Sequence, residues 1–149
     1  MHIWVDADAC PKIARELISK TAIRTQTKTT FVANQALYLK PSTLINMTVV
    51  NQGFDVADNF IIENCTSGDL IITSDIPLAD EGINKNAQVM DFKGMIYTKD
   101  NIKQNLNMRD FMDTMRGTGV LNPTEMGRQK PYSDKDKKAF ADGLNRLVR

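Results

Sequence analysis

The sequence predicts an α/β fold: a mainly parallel central sheet sandwiched between helices, with more helix at the C-terminal end. Three observations carry the prediction. Short β-prone runs alternate with segments whose apolar residues recur at helical spacing. The run LIIT at 70–73 is almost continuously apolar, as befits a strand covered by helices on both faces. The order strand–helix–strand also repeats along the chain, which right-handed crossovers fold into layers.

The elements follow in order. HIWV at 2–5 reads as the first strand, and Pro11 suits the first turn of a helix. From Pro11 to about Ala22, Ile13, Ala14, Leu17 and Ile18 form a helical stripe, with Lys12, Arg15, Glu16 and Lys20 off it. TTFVAN at 29–34 and MTVV at 47–50 read as strands two and three. QALYLKPSTLI between them, broken by Pro41, reads as loop with at most a turn of helix. GFDVADNFIIENC at 53–65 returns to helix, and DLIITSD at 69–75 is a strand. IPLADEGINKN at 76–86 is helical and AQVMDF at 87–92 is another strand, so the sheet should hold four or five strands. Met108, Phe111, Met112 and Met115 form a helical core stripe. Residues 117–132 are the loosest segment, and Ser133 with Asp136 resembles a capping box for a last helix burying Phe140, Leu144 and Leu147.

The length of 149 residues suits one domain spanning 1–149, its C-terminal helical part beginning near residue 98. Nineteen basic and eighteen acidic side chains leave a net charge of +1, so any nucleic-acid binding must come from a local patch. No apolar run approaches the roughly 18 residues of a membrane span, and the N-terminus does not read as an export signal. Cys10 and Cys65 form neither a disulfide framework nor a metal knuckle. A soluble, cytoplasmic protein with reduced thiols and no membrane partner is the expectation.

The stretch IWVDADACP concentrates the functional question, because it runs from a strand straight into two acids, Asp6 and Asp8. In open α/β sheets ligands bind beyond the carboxyl ends of the strands. Asp6 and Asp8 follow the first strand and Asp75 ends LIITSD, so parallel strands would bring all three to one rim. In the helix of GFDVADN, Asp55 and Asp58 lie three apart, with Asp58 at the margin of the apolar face and Asp55 further toward solvent. Clustered carboxylates suit Mg²⁺ or Mn²⁺, which bind through one or two carboxylates together with phosphate. Hydrolysis of a phosphodiester is the chemistry most natural to this set. The plainer alternative is that Asp8, Asp55 and Asp75 are helix N-caps, since each stands close before a helix.

IWVDADACP, VANQ at 32–35, GFDVADN at 53–59, SGDLIITSDIPLA at 67–79, MRDFM at 108–112 and YSDKDKKAFADGLNR resemble the YaiI/YqxD family of bacterial proteins across the whole chain. The resemblance implies a PIN-like α/β/α fold related to NYN ribonuclease domains, and hence a metal-dependent nuclease acting on RNA. By resemblance, Asp6, Asp58 and Asp75 stand where PIN-type nucleases carry metal-binding acids, with Asp8 and Asp80 as supplements.

Several residues are candidates for holding substrate. Asn34 and Gln35 end the second strand at the same rim, where a turn role is equally open. Thr73 and Ser74 flank Asp75 and would orient water, or simply cap. Lys12 and Arg15 on the first helix, Arg109 and Arg116 further on, and Arg128 and Lys130 in the loose segment are phosphate-binding candidates; for Lys12 and Arg15 a solvated helix face is the favoured reading. Cys10 reads as structural, and His2 has no second imidazole with which to share a metal. Two other functions stay open. An apolar strand ending in Asp-x-Asp also opens haloacid-dehalogenase phosphatases, although a matching Lys and later acidic pair are absent. A non-catalytic RNA- or protein-binding module is the other.

Overall fold

Alternation along the first strand sets the layers. Ile3 and Val5 enter one hydrophobic core and Trp4 the other, because successive strand residues face opposite sides of the sheet. The computed structural model describes residues 1–53, 55–104 and 132–148. The Met108–Met115 stripe, Arg109, Arg116, Arg128 and Lys130 lie outside them.

The strands are β1 (His2–Asp6), β2 (Lys28–Ala33), β3 (Ile45–Val49), β4 (Leu70–Ile72), β5 (Gln88–Met90) and β6 (Ile96–Tyr97). The helices are α1 (Lys12–Thr25), α2 (Val56–Asn64), α3 (Ile76–Asn84) and α4 (Asp134–Leu147), with residues 99–104 also helical. The sheet has six strands in the order β3-β2-β1-β4-β5-β6, all parallel to their neighbours except β6, which runs antiparallel to β5. The expected four or five strands fall short because a two-residue strand carries no periodic signal.

α1 and α4 cover one face, where Ala14, Ile18, Phe31, Leu70, Ile72, Met90, Phe140 and Leu144 interlock. α2, α3 and Ile102 cover the other, with Trp4, Val32, Ile61, Ile71, Leu78 and Val89. The result is a three-layer α/β/α sandwich. Each fully buried aliphatic or aromatic side chain contributes about 1.5–3 kcal/mol of transfer free energy. Among the described residues no helix is long and apolar enough to cross a membrane.

One local outcome differs from the sequence reading, and the loop read between β2 and β3 is present. α1 runs three residues beyond the expected Ala22, to Thr25, and ends where Gln26 turns left-handed (φ 57°). Glutamine is an unusual residue for that role, so no stop was visible. The connection from β2 to β3 contains no helix at all. Leu37 and Leu39 pack against the first core where a crossover helix would otherwise sit. At the C-terminus the expected capping box is present: Ser133 Oγ accepts from the Asp136 N–H, and Asp136 accepts from the Ser133 N–H.

Candidate functional site

The strand order reverses between β1 and β4: from β1 the sheet grows one way to β2 and β3, and the other way to β4 and β5. Such a reversal opens a crevice at the carboxyl ends of the two central strands, because their connections leave on opposite faces. Asp6 is the last residue of β1, and Asp75 follows β4 by three residues. Asp6 shares the strand parity of Trp4, so it faces the α2–α3 side. A cavity of about 360 Å³ lies there, lined by Asp6, Asp8, Asn34, Asp55, Asp58 and Asp75 among others, with no basic side chain in its wall among the described residues.

Local bonding fixes these acids differently. The buried Thr73 hydroxyl donates to Asp6 Oδ2 (2.9 Å) and accepts from the Asp75 N–H (3.0 Å), joining the ends of the two strands. Asp75 is the N-cap of α3, its Oδ1 accepting from the Leu78 N–H at 3.0 Å. The capping alternative is therefore correct for Asp75, yet its carboxylate also lines the cavity. Asp8 is no N-cap: it sits in a 3-10 turn (Ala7–Ala9), and both its oxygens accept from the Asn34 N–H (3.0 and 3.1 Å). Asp55 occupies the N-cap position of α2 in a left-handed conformation (φ 62°) without a side-chain cap bond, leaving its carboxylate open toward the cavity.

The electrostatics follow. Asp58 is pushed up to about 7, first by burial, then by the charges of Asp75, Asp6 and Asp55, and by a hydrogen bond shared with Asp75. Asp6 is also raised, chiefly by burial and further by Asp75 and Asp8, against the Thr73 bond that lowers it. A proton between Asp58 and Asp75 near neutral pH relieves the crowding. Burial pushes the Cys10 thiol up to about 12, in keeping with a structural cysteine.

The structure thus brings Asp6, Asp8, Asp58, Asp75 and Asn34 to one cleft. Thr73 supports it from beneath, while Ser74 is exposed and Asp80 lies on α3 outside the lining. Asp55 also borders the lining, while remaining exposed to solvent as its helical projection indicated. Among the described residues no three acid, His or Cys side chains already stand at cation-holding distances.

A family model described as "Uncharacterized BCR, YaiI/YqxD family" matches residues 4–149. The UPF0178 proteins of Psychrobacter cryohalolentis and Psychrobacter arcticus are each 63% identical over 149 residues, spanning all of both sequences. The UPF0178 protein of Pseudoalteromonas atlantica is 48% identical over 148 residues, covering 99% of this chain and 98% of its own. No solved structure matches the chain significantly. Similar to the family model and to these relatives along nearly its whole length, the chain belongs to the YaiI/YqxD family.

Proposed function

We propose that the cleft is the active site of a PIN-like, Mg²⁺- or Mn²⁺-dependent nuclease that hydrolyses RNA phosphodiesters. The observation that supports this best is the convergence of five carboxylates from three chain segments on one cavity whose wall, among the described residues, holds no cation. The all-oxygen donor set fits a hard divalent ion. Mg²⁺ takes only one or two protein carboxylates and completes its shell with water and phosphate, so a preformed three-carboxylate cage is not required. Asp6 and Asp75, tied together through Thr73, would hold it, with Asp58 and Asp8 as supplements. When bound, such an ion supplies polarisation of the phosphodiester and acidification of a coordinated water.

The chain's own residues do the rest. Asp58, poised at about 7, takes up or gives a proton at its carboxyl oxygen near neutral pH. The Thr73 hydroxyl keeps Asp6 and the start of α3 in fixed relation. Asn34 lines the same cavity. A phosphatase of the haloacid-dehalogenase type is less well supported. That chemistry also needs a lysine, and among the described residues none lines the cavity.

The test incubates the full chain with end-labelled single-stranded RNA, with Mn²⁺ or Mg²⁺ and with chelator, alongside p-nitrophenyl phosphate. Metal-dependent cleavage is expected, falling by about 100-fold or more in Asp6→Asn and Asp75→Asn. Absence of cleavage with metal present, or equal cleavage by folded Asp6→Asn, overturns the reading. Turnover of the phosphomonoester alone supports the phosphatase.

A further inference from the structure

Among the described residues, the helix-free connection between β2 and β3 leaves one flank of α1 open. A cavity of about 880 Å³ lies there, between α1 and residues 36–40, within the range of about 300–1,000 Å³ usual for ligand sites. Ile23, Leu37 and Leu39 form part of its lining, and Lys12, Arg15, Lys20 and Lys40 stand around it against a single acid, Glu16. A chain of net charge +1 therefore gathers four cations around one hollow. The Arg15 Nε is buried and meets no hydrogen-bond partner among the described residues, which leaves a donor unsatisfied in the wall. Tyr38, also in the lining, is 86% exposed, a large ring held out where it covers nothing.

The linings of this cavity and of the acid cleft share no residue, but they approach each other along the chain after β1 and β2. Asn34 lines the cleft and Ala36 lines the hollow; Ala9 lines the cleft and Lys12 the hollow. Two or three residues of chain span at most about 7–11 Å, close to the spacing of one or two nucleotides. Lys12, Arg15, Glu16, Ser19, Lys20 and Ile23 fall on one side of α1, so the hollow runs from the rim down the helix.

We propose that this hollow seats the single-stranded nucleic acid flanking the scissile phosphate, with Lys12, Arg15, Lys20 and Lys40 meeting phosphates and Tyr38 stacking on a base. The inference rests on the nuclease reading of the adjacent cleft and adds its substrate class and track. A single strand is favoured over a duplex because an exposed ring above a concave floor takes an unpaired base, and the face of a paired base is already stacked. Cations placed beside, not within, the acid cleft also draw the strand in without neutralising the carboxylates.

The experiment measures binding of a fluorescent single-stranded RNA oligomer to the full chain by anisotropy in chelator, across a salt series. The variants are Tyr38→Ala, Lys20→Ala with Lys40→Ala, and Asp75→Asn, each checked by thermal melting. All three surface positions of the first two variants are exposed, so folding should be retained. Tyr38→Ala should weaken binding at least about fivefold, the loss of one base stack. The double lysine variant should weaken it similarly and flatten the slope of log K against log salt by about 1.4, or 0.7 for each single-strand phosphate released. Duplex RNA and polyglutamate should compete poorly. No binding by the wild type, unchanged affinity in both hollow variants, or equal competition by duplex or polyglutamate overturns the proposal. Asp75→Asn should bind at least as tightly as wild type. Intact hollow-dependent binding without metal-dependent cleavage therefore sinks only the nuclease reading. Cleavage with affinity indifferent to Tyr38, Lys20 and Lys40 sinks only the track.

Discussion

At the amino end of the sheet, Asp69 is only 6% exposed, and its carboxylate accepts from the His2 N–H, the Trp4 indole, the Thr66 N–H and the Thr66 hydroxyl at 2.9–3.2 Å. At the carboxyl end, among the described residues, Asp6 has one side-chain donor, Thr73, and Asp58 has as its partner the carboxyl of Asp75. Burial pushes both groups toward the neutral form. At Asp69 the four hydrogen bonds outweigh it and the pKa falls below the ordinary value; at Asp6 and Asp58 neighbouring charges add to it and the pKa rises. The same residue type is a completed structural joint at one end and a crowded, proton-hungry cluster at the other. Donor supply, more than burial, separates the two.

The largest expected effect breaks the satisfied end. Asp69→Ala leaves the Trp4 indole and three other donors without their acceptor, and should cost about 3 kcal/mol. That is near 10 °C in Tm for a chain of this size. Divalent-ion binding by the folded variant should be unchanged, and loss of both together would mean the two ends are coupled.

Next comes the crowded end. Mn²⁺ at about 100 times its Kd should raise the Tm of the wild type at pH 8 by an amount equivalent to about 2.7 kcal/mol. The shift should shrink toward pH 5, where protons take the ion's place on Asp58. A Tm indifferent to Mn²⁺ at both values would leave the acids as caps and joints. Thr73→Val is smaller, about 1–2 kcal/mol, since it removes a buried hydroxyl that both donates to Asp6 and accepts from Asp75. It should also raise the Asp6 pKa further, which carboxyl NMR titration would read.

The pH dependence is the finest discriminator. Asp58 has a folded pKa of about 7, above its ordinary 3.8, so the folded state holds the extra proton. Metal-free stability should therefore fall as pH rises from about 4 through 7, by about 1 kcal/mol once solvent screening is allowed for. Asp69 works in the opposite sense: its lowered pKa gives stability that is present above about 4 and lost as pH falls through the folded value. Melting curves of Asp58→Asn should lose the neutral limb and keep the acid one. A neutral limb that survives in this variant would assign it to another group.

Much of the rim was legible in the sequence because apolar runs ended abruptly in acids, and parallel strands carry such ends to one edge. Asp6 could be assigned a face from strand parity alone. Asp69 could not be distinguished, since its donors come from β1 and from Thr66, and only the pairing of Ile3 with Leu70 brings β1 beside it. The basic hollow was illegible for a different reason. Lys12 and Arg15 look like any solvated helix face until the chain beside them fails to form a helix.

The Thr73–Asp6 bond spans 67 residues of sequence. β1 can find β2 early, but the cleft exists only after β4 has been made and has docked against the strand's other edge. Mutual repulsion of the acids thus falls on a long-range step of assembly, the pairing of β1 with β4 across the centre of the sheet. A nascent chain carries these carboxylates apart and hydrated, and they meet only once β4 has taken its place beside β1.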